Sequence, residues 1–183
     1  MAASFSSVYP CFVVLVAATA AMRGLNKLHR DVPDAFELYA TMPDIVAISD
    51  SNNDTIFECL SAKRTYFDKE AKKATYMVFF KGHHGTQKKH VAFHVAAGPT
   101  PNMVIFVEDE HPDVTATADM MYANYKKCFV AHFLYLGDQC FLYVSKGLEN
   151  DVPQECIDQF VDICGVIVPE YSQDLCTDDE EDL

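Results

Sequence analysis

Between Asp44 and Lys146 the chain alternates apolar and polar positions in short runs rich in β-branched and aromatic residues, and turn-forming clusters break the runs apart. The pattern predicts strands at "DIVAIS" (44–49), "TIFECLSAKRTYF" (55–67), "ATYMVFFK" (74–81), "KHVAFHVAA" (89–97), "NMVIFVED" (102–109), "DVTATADMMYANY" (113–125), "CFVAHFLYL" (128–136) and "QCFLYVSK" (139–146). "DKEAKK", "GHHGTQK", "GPTP", "EHP" and "GD" punctuate them. Helical spacing replaces alternation at the two flanks. "DVPDAFELYA" (31–40) predicts a short helix before the strands. In "DVPQECIDQFVDICG" (151–165), Cys156, Ile157, Phe160, Val161 and Cys164 recur on one helical face, with Asp151 as cap, Pro153 in the first turn and Gly165 as stop. Eight successive strands with short links, followed by one helix, predict an all-β fold with a C-terminal helix: an eight-stranded antiparallel up-and-down barrel. A β-sandwich with Greek-key crossovers is the rival, which the short links disfavour. A closed barrel of eight strands has room for one small ligand.

The N-terminus changes what the cysteines mean. Residues 11–18, "CFVVLVAA", are too short to span a bilayer, and Ala18-Thr19-Ala20 offers small residues for a signal peptidase. Residues 1–20 therefore read as a removed secretory signal, although no Lys or Arg precedes the apolar run; a buried N-terminal strand or helix is the alternative. Removal of Cys11 turns seven cysteines into six: Cys59, Cys128, Cys140, Cys156, Cys164 and Cys176. An even set in an oxidising compartment predicts three disulfides, with about 15 connectivities open. Residues 21–176 then form one domain, and "TDDEEDL" (177–183) a solvated acidic tail. Asn53-Asp54-Thr55 is a glycosylation sequon that fits secretion, with Asn53 as acceptor. The net charge of −13 survives loss of the uncharged leader and argues against nucleic acid or an anionic membrane as partner.

Little in the chain points to catalysis or metal. No C-x-x-C spacing, nucleophile elbow, phosphate loop or zinc-hydrolase helix occurs, so neither enzyme activity nor a cofactor is expected. "KGHHGTQKKH" (81–90) is a basic, His-rich tip in an acidic protein. His90 and His94, four apart on a strand, stand about 13 Å from each other and cannot share an ion directly, so the tip reads as a solvated hairpin. Cys156 and Cys164 lie about 12 Å apart along their helix and cannot pair with each other. A helix on the outer wall would bring them to Cys128 and Cys140, which begin the last two strands.

"DAFELY", "FEC", "YKKCFVAHF" leading into "CFLYV", and "DVPQECIDQFVDICG…YSQDLC" together resemble the tick salivary lipocalins, also called the tick histamine-binding proteins. The likeness runs in order along the mature chain, and the cysteine frame from 128 to 176 is its most specific part. It implies a secreted, monomeric lipocalin that captures a small host mediator in saliva: histamine, serotonin or an eicosanoid. It also implies bridges Cys59–Cys176 and Cys128–Cys156, with Cys140–Cys164 as a third found in some relatives. Amine-binding relatives carry an Asp after the cysteine matching Cys128, and a Glu-Leu-Trp on the next strand; here Phe129 and Phe141-Leu142-Tyr143 stand there. If Cys128 and Cys140 face the helix, Phe129, Phe133, Phe141 and Tyr143 face the cavity. The remaining candidates for an amine's anion are Asp119, where a relative places a carboxylate, and Glu58 beside Cys59. The expected ligand is a biogenic amine or, with the carboxylates replaced by rings, a fatty acid or leukotriene. Binding a host protein through the loops is the third reading.

Overall fold

The computed structural model describes residues 28, 30–52, 55–82, 88–165, 168–173 and 176. The expected leader, Asn53, His83-His84 and the acidic tail lie outside those residues. A short helix α1 (Ala35–Thr41) precedes β1 (Asp44–Asp50), β2 (Ser61–Asp68), β3 (Lys73–Phe80), β4 (Lys89–Ala97), β5 (Met103–Glu108), β6 (His111–Asn124), β7 (Cys128–Leu134) and β8 (Asp138–Ser145). Helix α2 (Gln154–Cys164) and a two-residue strand β9 (Val168–Pro169) follow. Each of β2 to β8 pairs antiparallel with its sequence neighbour, β8 pairs with β1, and β1 pairs back onto β2. That last pairing closes the barrel, through Asp44–Lys63, Ile45–Ala62 and Val46–Ser61. The up-and-down barrel is therefore correct and the sandwich is not.

Closure gives the strands two apolar surfaces. Inside, Phe93, Val104, Phe106, Met120, Phe129, Phe141 and Tyr143 belong to one core. Outside, Val46, Val130, Leu142 and Val144 form a second core under Cys156 and Phe160 of α2. Phe160 is 1% exposed, so the helix face that the sequence marks as apolar is the one that docks. Cys128–Cys156 and Cys140–Cys164 fix that docking, and Cys59–Cys176 ties the C-terminal segment to the loop after β1. α1 plugs one end of the barrel: Asp34 Oδ1 caps it by accepting from the Phe36 and Glu37 amides at 2.8 and 3.1 Å. The Tyr76 hydroxyl donates to the Met42 carbonyl at 3.0 Å beneath it.

Several boundaries differ from the sequence expectation. The second strand starts at Ser61, not Thr55, because the chain turns through residues 56–59 with Thr55 and Cys59 at φ 62° and 56°. Pro153, in extended backbone, is the N-cap of α2 without a side-chain bond, so Asp151 does not cap. Gly165 closes the helix in the left-handed conformation at φ 81°, as expected of a stop.

Candidate ligand-binding site

Alternation aims one face of every strand into the barrel, and the residues on that face are almost all apolar. They surround a cavity of about 100 Å³ lined by Tyr39, Phe57, Tyr76, Phe80, Phe93, Phe106, Phe129, Phe133, Tyr135, Phe141 and Tyr143, together with aliphatic residues. None of its lining side chains is charged. Phe129 and Tyr143 stack with centroids 4.9 Å apart, and Phe141 meets Tyr143 at 5.5 Å and Phe133 at 5.7 Å. Such ring contacts contribute about 0.5–1.5 kcal/mol each beyond area burial, so the wall is a pre-packed aromatic box. The volume is small. A cavity of roughly 150 Å³ admits benzene, so a ligand with one ring enters this one only if a wall residue yields.

Phe57 is placed to do so. It sits in the turn between β1 and β2, is 3% exposed, and meets Phe141 edge-on at 5.0 Å and Phe80 at 6.2 Å. Its loop is held at the far end by Cys59–Cys176 and by the Cys59 amide donating to the Glu170 carbonyl at 2.8 Å. On the other side, Gly82 lies so close that an added Cβ would stand 2.4 Å from the Ile56 carbonyl oxygen. Gly82→Ala is expected to push the Phe57 loop outward, costing about 1–3 kcal/mol in a denaturant melt; an unchanged melt would show that this contact does not hold the loop.

Among the described residues, the polar side chains of the cavity wall are phenols. Burial pushes the Tyr39, Tyr76, Tyr135 and Tyr143 hydroxyls well above the usual phenol range, so all four stay protonated. For Tyr39 the next causes after burial are the neighbouring phenols Tyr76 and Tyr143; for Tyr135 and Tyr143 they are carboxylates just behind the wall. Tyr135 donates to Glu108 Oε2 at 2.5 Å, and the negative charges of Asp50 and Glu170 act on Tyr143. Glu108 shares the inward face of β5 with Val104 and Phe106, and is 5% exposed. His111 Nε2 lies 3.5 Å from its other oxygen, while Lys89 pairs with neighbouring Glu110 at 2.7 Å. Asp50 is fully buried, and its Oδ1 accepts the Asn52 amide at 2.9 Å.

Of the residues that the sequence marks, Phe129, Phe141 and Tyr143 line the cavity together. Asp119 does not, which corrects its expected place. Ala118 and Met120 face inward and are 1% exposed, so Asp119 between them faces outward, opposite Met103 and His132 and beside Asn102 at 3.5 Å. Glu58 is also absent from the lining, because it lies in the turn rather than on a strand, and Phe57 takes the inward place. Sequence reasoning missed Glu108 and Tyr135. Phe106 and Glu108 share strand parity in "VIFVED", which was signal enough. Asp50 was hidden, since a bulge between Ala47 and Ser49 reverses the parity of β1. His94 and His90 stand exposed on the outer wall, where His94 bonds Thr75 and Asp109 at 3.1 and 2.5 Å.

Residues 27–178 match a protein family described as "Tick histamine binding protein". No sequence among the curated proteins matches significantly. Among solved structures, Japanin from Rhipicephalus appendiculatus, bound to cholesterol, is 13% identical with a TM-score of 0.55; the match covers 73% of this chain and 95% of that one. AM182 in complex with serotonin is 13% identical with a TM-score of 0.62, covering 81% of this chain and 97% of that one. At that identity the likeness establishes the lipocalin barrel and nothing about the ligand.

Proposed function

Since the chain belongs to the tick histamine-binding protein family, we propose that it sequesters a small biogenic amine of the histamine or serotonin type in its barrel, as a secreted salivary protein acting against host defence. Buried Glu108, bonded to the cavity-lining hydroxyl of Tyr135, is the observation that carries this reading. An ammonium leaving water needs an anion, or it loses several kcal/mol of solvation without compensation. The two expected carboxylates are rings here, and Glu108 supplies the charge from a different strand. Asp50 and Glu170 add negative potential at Tyr143. The aromatic box holds the ring of the ligand, and phenol faces receive its cationic end. Three disulfides fit an extracellular life, and no helix among the described residues is long and apolar enough to cross a membrane.

A second reading rests on the uncharged lining: an apolar mediator in place of the amine. The same carboxylates disfavour a fatty acid or leukotriene, whose own charge they repel, and leave a neutral molecule as its strongest form. Calorimetric titration separates the two, using serotonin against 5-hydroxyindole, which keeps the ring and loses the ammonium. Serotonin should bind at least tenfold more tightly, and Asp119→Asn should change neither affinity by more than about 0.5 kcal/mol. Equal affinities would sink the amine reading in favour of the apolar one.

A further inference from the structure

We propose that a groove on the outer wall, over the seam where β1 meets β2, is a second binding site, for a single-chain amphiphile with a carboxylate head. β1 and β2 pair across only three residue positions before β1 bends away to meet β9. The gap left outside the barrel is a cavity of about 310 Å³, roofed by Cys59–Cys176 and Tyr171 and walled by Val46 and Phe79. That volume reaches the roughly 300–1,000 Å³ of small-molecule sites, which the barrel interior does not.

Charge sets the kind of head group. The whole chain carries 27 acidic residues against 14 basic ones, yet among the described residues Lys63, Lys81 and Lys146 outnumber Asp44 and Glu149 in this groove. Glu149 Oε2 accepts the Gly147 amide at 2.5 Å, and Lys81 and Lys146 have interactions of their own. Lys81 is 8% exposed, so its ammonium lies in a poorly hydrated place where a charged hydrogen bond is strong. Lys63 is exposed at the rim and free to swing onto a head group. Phe79, Val46 and the disulfide form an apolar strip for an alkyl chain, which an inorganic anion would leave unused. Lysines at the groove disfavour cationic amphiphiles, so this site and the barrel select opposite charges.

Decanoate is the probe, titrated into the protein already saturated with serotonin and followed by amide chemical shifts. Binding should move the Lys63, Phe79 and Tyr171 amides, and Lys63→Glu should weaken it by about tenfold or more, while serotonin affinity stays unchanged. Decyltrimethylammonium should leave those amides in place. Lys81→Met provides a second variant, with loss of decanoate binding expected. Unchanged decanoate affinity in Lys63→Glu, shifts confined to residues inside the barrel, displacement of serotonin by decanoate, or no shift at millimolar decanoate would each overturn the groove site. Unchanged decanoate affinity in Lys63→Glu and the absence of any shift leave the amine reading of the barrel untouched, whereas displacement of serotonin would count against it as well.

Discussion

Glu108→Gln is expected to weaken serotonin or histamine binding by about 100-fold, roughly 3 kcal/mol, while leaving the affinity for a neutral ring analogue nearly unchanged. The substitution keeps shape and still accepts the Tyr135 hydroxyl, which now bonds Glu108 at 2.5 Å. What it removes is a negative charge held in a place that is 5% exposed. Losing one partner of a buried charge pair costs about 2–5 kcal/mol, because the other charge is left desolvated. Asp50→Asn tests the opposite side of the cavity in the same way, by removing charge beside Tyr143. If Glu108→Gln lowers amine and neutral affinities alike, the residue positions Tyr135 and does not recognise charge. If it lowers neither, the ammonium lies elsewhere.

Replacing Cys59 and Cys176 together by serine is expected to cost about 4–5 kcal/mol, the chain-entropy value for a closed loop of this size. The bridge spans 117 residues, far more than the 28 and 24 of the two bridges that hold α2. At about 2–4 °C per kcal/mol the melting temperature should fall by roughly 10–15 °C in calorimetry. The effect on binding follows from position. Cys59 ends the loop that carries Phe57 over the cavity, so losing the bridge frees the residue that must move when a ligand enters. Both association and dissociation should quicken in stopped-flow traces. A melting temperature within about 3 °C of the parent would mean that the loop is held by its other contacts, the Cys59 amide to Glu170 and the approach of Gly82 to Ile56.

The barrel was legible because a residue period of two, repeated over many short segments with turn residues between, leaves few ways to bury one face of every strand. The docking face of α2 was equally plain from Cys156, Phe160 and Cys164. Inside the cavity, parity correctly aimed Phe129, Phe141 and Tyr143, since β7 and β8 pair without a bulge from Cys128–Val144 to Leu134–Asp138. Parity failed wherever the strand itself was misjudged. "FEC" reads as strand by composition, yet residues 56–59 turn, and this moved Glu58 out of the wall and Phe57 into it. Asp119 came from likeness to relatives rather than from alternation, and alternation with Ala118 and Met120 places it outside. The replacement carboxylate, Glu108, was readable from parity but not from any motif.

The claim that matters most is that a ligand's ring lies within the aromatic box with its charged end towards Tyr135 and Glu108. Isotope-filtered nuclear Overhauser spectra of the protein with bound serotonin test this directly. The account predicts cross-peaks from the indole protons to the rings of Phe129, Phe141 and Tyr143, and from the ethylamine protons to Tyr135. Cross-peaks to outer-wall residues alone, or an ethylamine arm pointing towards Tyr39 and α1, would contradict it.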